Sequence, residues 1–329
     1  MRSAITPGSP KPIHYYCSSG GNAGIACATA SRSMGYAATI CVPMTTSPRM
    51  VKILKKLGAN VHQTGASWAD ADRYLRTNLL AKDPNGFYIP PFDHPVIWEG
   101  ASSLLEEVYE QMECEGGFDG VVCSVGGGSL LTGIQTAIGR HSSGAVEDPK
   151  ILAVETRGAD SLNSSLKAGK HIALPKITSI ATSLGIVRVA DRAFELAQRD
   201  NVTSVVLTDA EAAIGSVKFA EDEDILVEVS CGVALAAVYN GTLRKEMGKN
   251  MTNDEWSNKK FVIVVCGGSD VSTSLLKDYQ EKYTSEATSL APRLLSAGAV
   301  YDRSKDMMLD MISEKNSAMF ESTPCTVSC

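Results

Sequence analysis

The residues best suited to chemistry in this chain lie in three short runs of small side chains, each directly behind an apolar segment. The first is Ser18-Ser19-Gly20-Gly21-Asn22-Ala23-Gly24, between an apparent strand, Ile13 to Cys17, and a helix beginning near Asn22. Side chains this small let a backbone approach a ligand closely, and the free N–H groups of a helix start attract an anion. Two serines and an asparagine add donors and acceptors, so the run suits a carboxylate or a phosphate. The second run is Gly126-Gly127-Gly128-Ser129. Its glycines let backbone N–H groups converge, and the dipole of the following helix adds positive potential, which makes a phosphate cradle. No Gly-Lys-Ser/Thr follows it and the spacing is not GxGxxG, so neither a Walker loop nor a dinucleotide fingerprint is present. A simple tight turn is its competing reading. The third run is Cys266-Gly267-Gly268-Ser269, behind the apolar segment Phe261 to Val265.

Strand and helix patterns alternate between these runs. Ala23 to Met34 reads as a helix stopped by Gly35, and Ala37 to Val42 as a strand. Ser47-Pro48 opens a helix to Leu57, ended by Gly58. Val61 to Thr64 reads as a strand and Ser67 to Lys82 as a helix. Three prolines in Pro90-Pro91-Phe92-Asp93-His94-Pro95 exclude a central strand, so the domain crossover is placed there. Beyond it come a helix over Glu99 to Gln111, a strand over Gly120 to Val125, a helix over Leu130 to Arg140 and a buried strand over Ile151 to Glu155. Thr208-Asp209-Ala210-Glu211 is a capping box that opens a helix to about Ala220. The tail beyond Ala287 is read as partly helical. The rhythm implies an α/β fold of two domains with mostly parallel sheets flanked by helices, residues 1–96 forming a small domain and 97–329 a large one. In such sheets the strand C-termini line the ligand crevice, so the three runs are expected to converge on one ligand.

Composition narrows the partners. Among 329 residues, 31 basic and 37 acidic side chains leave a net charge of −6, which argues against nucleic acid or an anionic membrane surface. No apolar run approaches a membrane-spanning length, and residues 1–14 lack the apolar core of a signal peptide. Nine scattered cysteines without metal-like spacing read as free thiols in a reducing cytoplasm, with Cys27, Cys41, Cys123, Cys231 and Cys266 in apolar segments.

Seven strings taken together resemble the L-serine dehydratase and threonine deaminase group of pyridoxal-phosphate enzymes, of the tryptophan-synthase-β fold (fold type II). They are Cys17 to Gly24, Ile89-Pro90-Pro91-Phe92-Asp93, Ile97-Trp98-Glu99-Gly100, Ser124 to Ser129, Val154-Glu155-Thr156, Leu174-Pro175-Lys176-Ile177-Thr178-Ser179 and Val264 to Ser269. The likeness spans about Tyr16 to Tyr283. It implies pyridoxal 5′-phosphate as cofactor, β-elimination of L-serine or L-threonine to an oxo acid (pyruvate from serine) and ammonia, and a cytoplasmic homodimer acting on a small amino acid. Asn22 would bond the cofactor's 3′-oxygen, and Ser18, Ser19, Gly20 and Gly21 the substrate carboxylate. Gly126, Gly127, Gly128 and Ser129 would hold the cofactor phosphate, Cys266 would face the pyridine nitrogen as a neutral partner, and Phe92 would line the pocket. Glu155, Ala159, Ser161, Leu184 and Ile186, with the Gly126 carbonyl, would hold a monovalent cation, K+. The small Gly20 would leave room at the substrate β-carbon, so threonine stays open beside serine. A racemase or an O-acetylserine sulfhydrylase would share the fold.

Each of these residues has a plainer reading. Cys266 could be a buried thiol, Glu155 a surface carboxylate, and Asn22 the N-cap of its helix in any case. His62, His94 and His171 read as surface or loop residues, and Lys52, Lys55 and Lys56 as a solvated helix side.

The family's Schiff-base lysine sits in a Ser-x-Lys-x-Arg motif roughly 25 residues ahead of the asparagine matching Asn22, which here would precede Met1. Lys11, between Pro10 and Pro12, is too near Asn22, and Lys176 lies in a family string but outside the lysine role. The expectation is therefore an N-terminally truncated dehydratase, impaired as it stands, with an exposed cleft wall and altered solubility or assembly. The alternatives are a short homologue that binds the cofactor or a partner without catalysis, or another phosphate-ligand class.

Overall fold

The structure, a computed structural model, describes residues 13–144 and 147–290. Eight strands form two parallel four-stranded sheets. The first has the order β3-β2-β1-β4, with β1 at His14–Cys17, β2 at Ala37–Val42, β3 at Asn60–Gln63 and β4 at Gly86–Tyr88. The second has the order β7-β6-β5-β8, with β5 at Gly120–Ser124, β6 at Lys150–Thr156, β7 at Val202–Leu207 and β8 at Phe261–Ile263. Parallel neighbours need crossover helices, and the chain supplies them. The first sheet carries α1 (Asn22–Ser33), α2 (Pro48–Lys56) and α3 (Trp68–Tyr74). The second carries α4 (Pro95–Met112), α5 (Ser129–His141), α6 (Ser161–Ala168), α7 (Asp191–Leu196), α8 (Asp209–Glu223), α9 (Val229–Tyr239), α10 (Thr242–Met247), α11 (Asn253–Ser257) and α12 (Thr273–Leu290).

The central strands β2, β5 and β6 are buried on both faces, which is why they read as continuous apolar runs. One core packs Tyr15, Ile40 and Leu54 around the first sheet. Two more flank the second, one built on Leu105, Ile134 and Ile151, the other on Leu152, Val233 and Ala237. Helix α9 is apolar all round and buried along nearly its whole length, as a helix covered on every side must be.

Several local expectations need correction. The helix expected over residues 67–82 is α-helical only to Tyr74 and then widens into a π-turn at Leu75–Leu79 and tightens over Leu80–Lys82. Helix α4 begins at Pro95 rather than Glu99, because His94 caps it and proline suits its first turn. Strand β8 ends at Ile263, although Val264 N still donates to Val122 O at 2.9 Å, and α8 runs on to Glu223. The capping boxes at Thr208 and Ser67 are formed, and Ser47 caps α2 by accepting from Met50 N. The solvated lysine face of α2 is present, and His62 and His94 are exposed. His171 lies in a loop and is a half-buried clamp there, 2.7 Å from Asp191 and 2.8 Å from the Val189 carbonyl. Lys11 and nearly all of the tail beyond Ala287 lie outside the described residues.

Candidate cofactor and substrate cleft

The three small-residue runs open into one cleft of about 690 Å³ between the sheets. They meet because β1, β5 and β8 all present their C-terminal ends to it. Ser19, Gly20, Gly21 and Asn22 line one wall, and Gly126, Gly127, Gly128 and Ser129 the floor. Cys266, Phe92, Leu184 and Ile186 complete the set of expected residues that face the space.

The floor is shaped for a phosphate. Gly128 ends the turn at φ +88° and serves as N-cap of α5, whose first N–H groups therefore point at the cleft. A side chain at Gly127 would start 2.3 Å from the Phe92 ring, so the glycine lets that aromatic wall stand against the cradle. Ser129 is the first helical residue, so it needs no left-handed backbone and serine is at no disadvantage there.

The wall shows two departures. Ser18 is fully buried and its side chain does not face the cleft. Its hydroxyl donates to Asp72 at 2.6 Å, where Tyr88 OH (2.7 Å) and Arg76 Nε (2.8 Å) also converge. Burial would push the Asp72 carboxyl up, yet the Ser18 and Tyr88 hydroxyls and the Arg76 guanidinium hold it below its ordinary value. At Gly20 the Thr46 side chain packs within 2.9 Å of where a Cβ would stand, so the glycine lets Thr46 close against the loop. Asn22 is not the N-cap of α1 either. Gly21 takes that position, and the Asn22 side chain turns to Glu228 and Ser269.

Cys266 is exposed to the cleft, unlike the buried Cys27, Cys41, Cys123 and Cys231. Its thiol is held down at about 7, chiefly by a hydrogen bond from Cys231, whose own thiol is pushed up in return. Ser124 Oγ lies 3.9 Å from Cys266 Sγ. Alkylation of Cys266 by iodoacetamide should therefore rise with a midpoint near pH 7, while peptides carrying Cys17, Cys41 and Cys123 stay unlabelled. A Cys266 labelled only above pH 9 in a mass-spectrometric titration would refute this.

Glu155 is not a surface carboxylate but wholly buried at the end of β6. Its two oxygens accept Leu162 N at 2.9 Å and Asn163 N at 2.7 Å, the start of α6. Burial outweighs these bonds and pushes the carboxyl up to about 8. Six residues further on, at the start of α6, Ser161 Oγ is buried with no hydrogen-bond partner, alone in this among the described side chains. An orphaned oxygen on the first residue of the helix whose N–H groups bind a buried carboxylate suits a bound cation. Gly126 meets Leu184 closely, a Cβ there falling 2.9 Å from Leu184 Cα.

Glu228 was absent from the residues singled out by sequence. It is nearly buried, stands at the start of α9, and joins the first and third runs through its carboxylate. The only signal for it was an acidic residue opening a wholly apolar helix.

Comparison with known proteins agrees with this geometry. The chain is 41% identical over 264 residues to L-serine dehydratase/L-threonine deaminase of Bos taurus, covering 80% of this chain and 78% of that protein. It is 39% identical over 275 residues to L-serine dehydratase of Saccharomyces cerevisiae (strain AWRI1631), covering 81% and 79%. Its fold matches the crystal structure of a fungal L-serine ammonia-lyase from Rhizomucor miehei with a TM-score of 0.76 at 31% identity, over 86% of this chain and 85% of that one. The profile of the pyridoxal-phosphate dependent enzymes matches residues 4–267, and with three small-residue runs meeting in one cleft of a type II fold, the chain belongs to that family.

Proposed function

We propose that the cleft takes pyridoxal 5′-phosphate and L-serine, with L-threonine as the second substrate, for β-elimination to the oxo acid and ammonia. The convergence of the runs behind β1, β5 and β8 on one cleft carries this reading. When bound, the cofactor would supply an electron sink for the α-carbon. The residues of this chain do the rest. The Gly126–Ser129 turn and the start of α5 would hold the phosphate, and Ser19, Gly20 and Gly21 would bind the substrate carboxylate. Asn22 would bond the 3′-oxygen, Cys266 would face the pyridine nitrogen, and Phe92 would shut water out on one side. Thr46, packed against Gly20 and lining the same cleft, would narrow the space at the β-carbon and favour serine over threonine.

No lysine among the described residues lines the cleft. A base at the α-carbon is typically worth ~10²–10⁴-fold. The 329-residue chain alone is therefore expected to bind the cofactor and to release pyruvate from serine at no more than about one-hundredth of an ordinary enzyme rate. A lactate-dehydrogenase-coupled assay checks this, and turnover of about 10 s⁻¹, typical of enzymes, would refute it. Cofactor binding is read separately from visible absorbance and from protection of Cys266 against iodoacetamide. A chain that neither colours nor protects Cys266 lacks the proposed site. Binding without turnover leaves a cofactor-holding interaction partner as the second reading, favoured by the same lack of a lysine among the described residues of the cleft.

Glu155, Ser161 and the neighbouring carbonyls of Ala159, Leu184, Ile186 and Gly126 would hold K+, which would answer both the buried charge and the orphaned hydroxyl. The net charge of −6 supports a protein that engages neither nucleic acid nor anionic membranes. No helix among the described residues is long and apolar enough to cross a membrane. The family likeness supports a cytoplasmic homodimer, which sedimentation and fractionation test.

A further inference from the structure

We infer that Glu228 is a positioning residue that acts through Asn22, making its amide an obligate hydrogen-bond donor to the cofactor's 3′-oxygen. The inference rests on the cofactor reading above. One oxygen of Glu228, Oε1, accepts from Asn22 Nδ2 at 3.0 Å, from Ser269 N at 2.8 Å and from Asp270 N at 3.0 Å. Its other oxygen accepts from Ser183 Oγ at 2.6 Å. Asn22 Oδ1 accepts from Ser269 N at 3.1 Å and from Ser269 Oγ at 3.0 Å.

An asparagine amide has two N–H donors and two acceptor positions. Here both acceptor positions and one N–H are taken from within the chain, so a single N–H remains, on a residue that faces the cleft. The orientation of the amide follows from its partners. The Ser269 N–H can only donate, so it must meet Oδ1. The Glu228 carboxylate can only accept, so it must meet Nδ2. An Asn22 turned over would set its oxygen against the carboxylate. What the cleft is offered is therefore always a donor, which fits an oxygen carrying negative charge and rejects a second donor. The close approach is built into the backbone: Gly268 has φ +120°, and a Cβ on it would fall 2.3 Å from Glu228 Cδ.

The test uses the full chain and pyridoxal phosphate alone, read by equilibrium dialysis and by the absorption maximum of the bound cofactor. Glu228→Ala frees the Asn22 amide to rotate and should weaken binding roughly tenfold and move the absorption maximum, as loss of one hydrogen bond to a charged group does. Glu228→Gln keeps an acceptor oxygen for Asn22, Ser269 and Asp270 and turns its amide N–H to Ser183, so it should return both readings to within about twofold of the parent. Asn22→Ala should match Glu228→Ala, and the double variant should be no weaker than either, because the two act in one chain of contacts. A general loosening of the fold would give additive losses and no change in the absorption maximum, and that result overturns the inference. So does a Glu228→Gln variant that binds like Glu228→Ala while unfolding at the parent temperature. A parent chain that binds no pyridoxal phosphate overturns the inference and the cofactor reading together, whereas parent binding with an unaltered Glu228→Ala overturns the inference alone.

Discussion

In buffer whose only cation is tetramethylammonium, the folded state loses roughly 2–4 kcal/mol as pH rises from about 5 to about 8, and potassium restores more of it at the higher pH. Glu155 is the source. Its carboxyl in the fold is pushed up to about 8 by burial, against 4.5 for an ordinary glutamate. Between those values the folded chain keeps a proton that the unfolded chain has released, so stability falls with rising pH across that window. Each unit of such a difference corresponds to about 1.4 kcal/mol, which sets the scale of the loss. A monovalent cation beside the carboxylate favours its ionised form and reverses the trend, and at low pH it must compete with the proton. Denaturant titrations at pH 5 and pH 8, in potassium and in tetramethylammonium at equal ionic strength, read the effect. Glu155→Gln should flatten the pH dependence that Glu155 causes and erase the potassium difference. Ser161→Ala should keep the pH slope and weaken the potassium effect, since it removes the unpartnered hydroxyl but not the carboxylate. An equal gain from potassium at both pH values, or a gain that survives Glu155→Gln, would exclude the site.

The residues behind these results were unequally legible in the sequence. The glycine-rich floor announced itself because positive φ and close approach leave glycine as nearly the sole solution, and Gly126 to Gly128 follow an unbroken apolar strand. Strands β2, β5 and β6 were readable for the same reason, being buried on both faces. The strand β7 was readable in principle, since Val202–Leu207 is a β-branched run ending at the Thr208 capping box, yet it passed unassigned. The strand β4 was not, because three residues starting at glycine carry no alternation to detect. The network around Glu228 was hidden by distance: its bond to Asn22 spans 206 positions, and nothing local distinguishes that carboxylate from a cap. Ser18 misled in the opposite way. Its place in a serine-glycine run suggested ligand contact, but strand alternation turns its hydroxyl to Asp72, a residue that no nearby pattern associates with it.

Gly24→Ala is expected to cost about 2–3 kcal/mol and to lower Tm by roughly 3–4 °C, although alanine is ordinarily the better helix former by about 1 kcal/mol. The reason is where α1 lies. A Cβ on Gly24 would fall 1.9 Å from the Ser19 carbonyl oxygen and 3.0 Å from its carbon, with Ile40 Cγ2 at 3.4 Å on the far side. The first two atoms are backbone and cannot rotate away, so either the helix or the loop carrying Ser19 must shift. Overpacking of this kind strains the structure more than the added methyl gains from burial. Because Asn22 rides on the same turn, cofactor affinity should fall with stability, by about tenfold if one hydrogen bond to the 3′-oxygen is lost. Gly139→Ala provides the contrast. That glycine is exposed near the end of α5 with nothing within 4 Å of a new Cβ, so only the intrinsic helix preference acts and stability should rise by about 0.5–1 kcal/mol. Differential scanning calorimetry of the two variants decides the matter. If both move Tm the same way, the cost at Gly24 does not come from the Ser19 backbone, and the loop is not held against α1 as tightly as the cleft requires.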